Sequence, residues 1–195
     1  MMQAGVDLNI VTYTALVDGL CKGGRIKAAE EIFQAMLKAG VVPNHFIYTT
    51  LMDAYFKAGK TAEALNLLQE LQDLNIEVSI VTYCALIHGL CKTGLVEEAI
   101  RHFNSMNDIG MQPNVAVYTA LIDGLCKNNS IEAAKKLFDE MFQRGLHPDE
   151  IQCICLLTKY YELGKVDEAI ELQNEMVKKR LITCSDDLAV PTLQT

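Results

Sequence analysis

No stretch of the chain stays apolar for long. The hydrophobic runs are short and broken by charge, which excludes a transmembrane span. An excess of basic residues is missing as well. The net charge is −8 and the pI about 5.0, which argues against indiscriminate binding to nucleic acid, although a repetitive chain can segregate its charge between faces. Tryptophan is absent and aromatics make up only 7%, yet 50% of the 195 residues are hydrophobic, enough to bury a core. The opening MMQAGVDLN has neither the basic region and apolar run of a secretory signal nor the Arg- and Ser-rich character of a transit peptide.

What is present is a repeated word. VTYTALVDGLCKGG at Val11–Gly24 returns as VTYCALIHGLCKTG at Val81–Gly94 and as VYTALIDGLCKN at Val117–Asn128, and a looser copy, IYTTLMDAYFKAGK, begins at Ile47. The copies start near 12, 47, 82 and 117, a fixed spacing of 35 residues. A period of that size marks a stack of supersecondary units. Five units fit, at 10–44, 45–79, 80–114, 115–149 and 150–184, with 1–9 as the end of a preceding unit and 185–195 as a tail without pattern, expected to be disordered.

Each unit reads as two helices. The first unit has one from about Val11 to Gly23, with Tyr13, Leu16, Val17 and Leu20 at helical spacing, and a second from about Ile26 to Lys38. Between them stands a residue that tolerates a left-handed turn: Gly24, Gly59, Gly94 and Gly164, with Asn129 in the fourth unit. Every second helix carries an alanine at one place, Ala29, Ala64, Ala99, Ala134 and Ala169, where a small side chain allows close approach. Gly40, Gly110 and Gly145 end second helices, and Pro43, Pro113 and Pro148 follow. Tyr13, Tyr48, Tyr83 and Tyr118, with Leu16, Leu51, Leu86, Leu121 and Leu156, are expected in a core shared by stacked neighbours. The predicted fold is all-α, an α-solenoid of stacked helix-turn-helix repeats.

A second stripe runs along each first helix, through the second, fifth, ninth and thirteenth residues of the unit: Val11, Thr14, Asp18 and Lys22 in the first. It ends in Lys22, Lys57, Lys92 and Lys127. Two readings stand for these lysines. They form a line of positive charge that a single-stranded phosphate backbone follows, or they complement the dipole in the last helical turn.

The pattern VTYxxLIDGLCKxG, then EAxxLFxxM, then GxxPD or GxxPN, in a 35-residue unit resembles the pentatricopeptide repeat family of organellar RNA-binding proteins, over residues 1–184. The tetratricopeptide family has a period of about 34 residues and a Trp and Leu-Gly…Tyr pattern that this chain lacks. Unit five departs furthest: Cys153 replaces the Tyr, Glu162 the Lys, and Arg180–Cys184 the Gly…Pro-Asp ending, so it reads as a degenerate capping repeat. The resemblance implies a right-handed superhelix that binds single-stranded RNA, one base per repeat. It also implies a plant protein of the mitochondrion or plastid that acts in RNA processing, stabilisation or translation, with protein partners in RNA processing.

By the same resemblance each base is read by the fifth and last residues of a unit. These are Thr14 with Asn44, Thr49 with Ser79, Cys84 with Asn114, and Thr119 with Asp149, while Ile154 with Cys184 offers no reading pair. Val11, Phe46, Val81, Ala116 and Ile151 would flank the bases, and Lys22, Lys57, Lys92 and Lys127 would contact phosphates. Short polar side chains suit a Watson–Crick edge, and apolar ones cover base faces. Asn9, Asn44, Ser79, Asn114 and Asp149 are also good helix N-caps, and both roles are open to them. The family's pattern gives a core site 5′-A-purine-A-G-3′.

No enzyme, cofactor or metal is expected. Relatives with a zinc deaminase extension carry a His-x-Glu and Cys-x-x-Cys set that is absent here. Cys21, Cys91 and Cys126 are copies of one core thiol, which implies a reducing compartment, and Cys153 and Cys155 are too closely spaced for usual zinc ligation. His45, His88, His102 and His147 are scattered and read as surface or groove residues. The competing class of function is a protein-interaction solenoid whose groove takes a peptide or a basic partner.

Overall fold

The structure, a computed structural model, describes residues 9–182. Among them are ten helices of 13 residues each and no strand. In chain order these are α1 (Ile10–Lys22), α2 (Ile26–Lys38), α3 (His45–Lys57), α4 (Thr61–Asp73), α5 (Ile80–Lys92), α6 (Val96–Asp108), α7 (Val115–Lys127), α8 (Ile131–Gln143), α9 (Glu150–Glu162) and α10 (Val166–Lys178). The expectations for residues 1–8 and 183–195, Cys184 included, lie outside the described residues. The helices fall into two compact units, α1–α6 up to Met111 and α7–α10 from Gln112.

Local sequence sets both ends of each helix. Asn9, Asn44, Ser79, Asn114 and Asp149 sit in extended backbone before the five first helices, and each side chain accepts a hydrogen bond from the N–H three residues on. At the other end of α1, Gly24 turns left-handed (φ 70°) and the Arg25 N–H closes on the Leu20 carbonyl at 2.9 Å. All ten helices end this way. The sequence marked the turn after a second helix only at Gly40, Gly110 and Gly145. In the second and fifth repeats Asn75 (φ 53°) and Arg180 (φ 59°) take that conformation. It costs a non-glycine residue roughly 1–2 kcal/mol, which the closing hydrogen bonds offset.

In the first unit α1, α3 and α5 pack side by side, and α2, α4 and α6 each lie against their own partner. Tyr48, Leu51, Tyr83 and Leu86 are buried between them, Ala29, Ala64 and Ala99 are fully buried, and the Phe33 and Tyr48 rings meet edge to face with centroids 5.4 Å apart. Met36, Leu71 and Met106 fill a further core position. In the second unit Tyr118, Leu121, Ala134, Met141, Leu156, Ala169 and Met176 repeat the scheme, and Cys153 fills the tyrosine position, fully buried. The Tyr118 hydroxyl hydrogen-bonds Glu140 at 2.8 Å.

Two expected core residues are not in the core. Leu16 is 42% exposed and Cys21 only half-buried. Among the described residues α1 has a neighbouring first helix on one side only, α3, so the side of α1 that carries Leu16 is left uncovered.

One close contact holds α3 to α5. Phe56 stands where Cys21, Cys91 and Cys126 stand in other repeats, and its ring lies over Gly89, where an added Cβ would come within 2.2 Å of it. Gly89→Ala is therefore expected to destabilise the protein by about 1–3 kcal/mol in urea unfolding through overpacking. This would override the gain of about 1 kcal/mol in helix propensity. Gly19→Ala, with nothing within 4 Å of its added Cβ, should show no loss. Equal behaviour of the two variants would mean that the ring yields freely.

Candidate functional site

The stripe of second, fifth, ninth and thirteenth residues is a solvent-facing surface. Its second-position side chains are large and apolar yet outside the core: Val11 is 70% exposed, Phe46 51%, Val81 60% and Ile151 76%, with Ala116 exposed as well. Exposed apolar groups recurring at the same place of each repeat make this stripe a candidate binding surface. In the first unit two clefts open beside each other on this face. One, of about 430 Å³, is lined by Val11, Thr14, Asn44 and Phe46. The next, of about 330 Å³, is lined by Phe46, Thr49 and Val81, together with Asp18, Lys22, Asp53 and Lys57. Phe46 is a wall of both. Each cleft sets a threonine between two apolar side chains, a slot suited to a flat ring.

The fifth-position hydroxyls have their protons committed. Thr14, Thr49 and Thr119 donate to the carbonyls of Ile10, His45 and Val115, each at 2.7 Å, so each oxygen is left with acceptor capacity only. Cys84, at that place in the third repeat, is half-buried, and burial raises its thiol pKa, which keeps it protonated.

The capping bonds orient the last residues. Asn44 Oδ1 accepts from the Ile47 N–H at 3.2 Å and Asn114 Oδ1 from the Val117 N–H at 3.1 Å, which leaves the amide Nδ2 of each as a donor. Asp149 Oδ1 accepts from the Gln152 N–H at 2.8 Å, which leaves its second oxygen as an acceptor. The N-cap role is thus met by one terminal atom, and the other remains for a ligand. Asn44 lies with Thr14 in the first unit, as Ser79 does with Thr49; Asp149 lies with Thr119 in the second. Cys84 stands in the first unit and Asn114 in the second.

The lysines do not make the expected line of unopposed positive charge. Lys22 pairs with Asp18 at 2.7 Å, Lys57 with Asp53 at 2.5 Å and Lys127 with Asp123 at 2.5 Å, each one helical turn apart. The bond to Asp123 raises the pKa of the Lys127 ammonium. Lys92, with His88 at the ninth position, makes no ion pair with a described residue. The acids four residues before three of the lysines were visible in the sequence and are the signal that was missed. The lysines remain well exposed, at 76%, 66% and 68% for Lys22, Lys57 and Lys127, and exposed pairs are worth under about 1 kcal/mol, so a phosphate can displace the aspartate. The first helices α1, α3, α5 and α7 carry no net negative charge, whereas α4, α6, α8 and α10 each hold a surplus of acids. The segregation is partial: the first helix α9 holds two glutamates against one lysine, and the second helix α2 is balanced.

Among the described residues no group of three or more His, Cys, Asp or Glu is placed to hold a metal ion, and no helix is long and apolar enough to cross a membrane. Burial pushes the Cys21 and Cys153 thiols up to about 11 and Cys126 up to about 12, so they are neutral packing groups. His102 departs from the surface reading. It is half-buried on α6, 3.6 Å from Glu98, and its pKa is lowered by burial first and by Arg101 second.

Comparison with known proteins places this arrangement. The model of the PPR repeat family matches residues 43–92, 78–127 and 113–151, that of the PPR repeat residues 4–37, and that of the pentatricopeptide repeat domain residues 136–182. No curated protein matches the chain. Among solved structures it is similar to the pentatricopeptide repeat protein PPR10 from maize, at 28% identity and a TM-score of 0.77, over 89% of this chain and 25% of that one. It is likewise similar to PPR10 in complex with an 18-nt psaJ RNA element, at 26% identity and a TM-score of 0.73, over 92% of this chain and 30% of that one. The chain thus spans between a quarter and a third of the length of these relatives. The PPR domain of Arabidopsis thaliana protein-only RNase P 1, solved in complex with tRNA, is 14% identical with a TM-score of 0.74, over 92% of this chain and 94% of that one, a likeness of fold alone.

Proposed function

The chain belongs to the pentatricopeptide repeat family, and from that premise we propose that it binds single-stranded RNA along its first helices, one base per repeat. The observation that carries this reading is the pair of adjacent clefts in the first unit, each holding a threonine acceptor between exposed apolar side chains. The first repeat offers one acceptor, Thr14, and one donor, the Asn44 amide, which complements the amino group and ring nitrogen of adenine. Thr119 and Asp149 offer acceptors alone, which complement the adjacent N–H groups of guanine. Thr49 with Ser79, and Cys84 and Asn114 by their repeat positions, read the two bases between. The core site is 5′-A-purine-A-G-3′. Val11, Phe46, Val81, Ala116 and Ile151 cover the base faces, a sequence-tolerant contribution of about 1–3 kcal/mol per stacked base for aromatics. In this reading the repeats bind without chemistry of their own, and membership of the family supports a role in the RNA processing, stabilisation or translation of a mitochondrion or plastid. The acidic surplus on α4 and α6 in the first unit, and on α8 and α10 in the second, favours a second reading, a basic protein partner at the second helices.

Two measurements test this. With Asp149 Oδ1 tied to the Gln152 N–H, Asp149→Asn exchanges the remaining acceptor for a donor. Preference at the fourth base alone should move from guanine to adenine, by several-fold for a difference of about 1 kcal/mol per hydrogen bond. Stability should change by less than about 0.5 kcal/mol, since Asn and Asp cap equally well. An equal loss on both RNAs would leave Asp149 a groove-shaping residue. The second measurement concerns charge. Because three lysines are already paired, binding should weaken with salt at a log–log slope near about −1, not the −2 to −3 expected of four unopposed phosphate contacts at roughly 0.7 each. Lys92→Ala should cost more affinity than Lys57→Ala. A steep slope, or equal losses, would show that Asp18, Asp53 and Asp123 release their three lysines to phosphate.

A further inference from the structure

Apart from tyrosine and cysteine, the described core contains two buried polar side chains, Thr82 (fully buried) and Gln152 (4% exposed). Both are the third residue of a first helix, at the same place in repeats three and five, where Ile47 and Val117 stand in repeats two and four. A hydroxyl or amide at an apolar core position costs stability unless it is fully bonded. Each is bonded, on both sides, to one base-reading pair. Thr82 Oγ1 lies 2.7 Å from Thr49 Oγ1 and 3.0 Å from Ser79 Oγ. Gln152 Nε2 donates to Thr119 Oγ1, and its Oε1 accepts from the Asp149 N–H at 3.0 Å.

We propose that the third-position residue following a repeat is a specificity-determining positioning residue, which sets whether that repeat shows the base a donor or an acceptor, and that Thr82 makes the second repeat select guanine over adenine. This rests on the RNA-binding reading above and deepens it. Proton counting gives the direction. The His45 carbonyl can only accept, so it holds the Thr49 proton, at 2.7 Å. In the contact between the two threonines the donor must therefore be Thr82. With that proton used, Thr82 can only accept from Ser79, and the Ser79 hydroxyl proton is spent inward as well. Ser79 Oγ also accepts from the Thr82 N–H at 3.2 Å as the cap of α5. The chain runs one way, from Ser79 through Thr82 and Thr49 to the His45 carbonyl, and leaves both reading residues as acceptors only. Among the four bases guanine alone sets two N–H donors side by side on its Watson–Crick edge. Adenine would bring its ring acceptor against an acceptor. Where the third residue is Ile47, no such chain exists, and Asn44 keeps its donor.

The test uses the full chain and RNAs carrying 5′-A-N-A-G-3′ within a longer uridine strand. Wild-type protein should prefer guanine to adenine at N by about three- to tenfold, the worth of one well-placed hydrogen bond. Inosine, which lacks the amino donor, should bind several-fold more weakly than guanine. In Thr82→Val, whose side chain already occupies the same position at Val117, the Ser79 proton is released and the guanine preference should fall to within about twofold, whereas Thr82→Ser should keep it. A purely structural role for Thr82 would change affinity for both RNAs and leave their ratio alone. The inference is overturned if wild type prefers adenine at N, if inosine equals guanine, or if Thr82→Val keeps the preference. Asn44→Asp, in a repeat without the bridge, separates the two ideas. If it turns the first base from adenine to guanine while Thr82→Val does nothing, base reading stands and the bridge falls. If no position shows any base preference, both fall.

Discussion

A pair of 13-residue helices leaves an apolar stripe uncovered however the two are folded together, and only the next pair in line can cover it. In the first unit that stacking is visible in the fully buried alanines of α2, α4 and α6 and in the tyrosines and leucines of α3 and α5. The consequence is a division of each first helix into two stripes with different duties. The core stripe holds the helices in line at a set spacing. The other stripe cannot be buried, because the neighbours are already in place, and so its Val11, Phe46, Val81 and Ile151 stay in water. Regular spacing of exposed apolar walls is thus a by-product of the packing, and a strand of stacked bases is a polymer with a spacing of its own to match.

The capping residues join this packing to recognition. A helix N-terminus needs a side-chain oxygen to satisfy its orphan N–H groups, and Asn44, Ser79, Asn114 and Asp149 provide one. Satisfying the cap fixes which terminal atom is left over. An asparagine presents nitrogen, an aspartate presents oxygen, and a serine presents whatever its own proton allows. In the proposed reading stability and base choice therefore depend on the same few atoms, so substitutions that conserve the cap would still alter the ligand. Electrostatics has a smaller part. The lysines of α1, α3 and α7 are paired with aspartates of their own helix, and α4, α6, α8 and α10 hold a surplus of acids, so in the proposed reading affinity comes from stacking and hydrogen bonding.

Much of this was legible in the sequence because the repeat writes each feature several times. Helix pairs, left-handed turns at glycine and Asn129, the alanine contact and the five caps all follow from residue types recurring at one spacing. The features that escaped occur once or depend on a neighbour. Asn75 and Arg180 turn left-handed without being glycine, because the helix-closing bonds force it. Leu16 matches the core pattern but has no covering first helix on its side among the described residues, and Phe56 fits only because Gly89 has no side chain. Asp18, Asp53 and Asp123 were in view, yet the lysines drew attention as charges on their own rather than as halves of i,i+4 pairs. Thr82 and Gln152 were hidden for the opposite reason: their position varies among Thr12, Ile47 and Val117 in the other repeats, and only their hydrogen bonds show what they do.

The central claim is that each repeat reads one base through its own pair of side chains. Selection from a random single-stranded RNA pool, followed by sequencing of the bound fraction, tests it most directly because it presupposes no site. The account predicts enrichment of a contiguous unpaired motif, 5′-A-G-A-G-3′, with the strongest discrimination where Asp149 and the Thr82 bridge act. A bound fraction with no positional base preference, or one enriched only for a folded RNA shape, would contradict it.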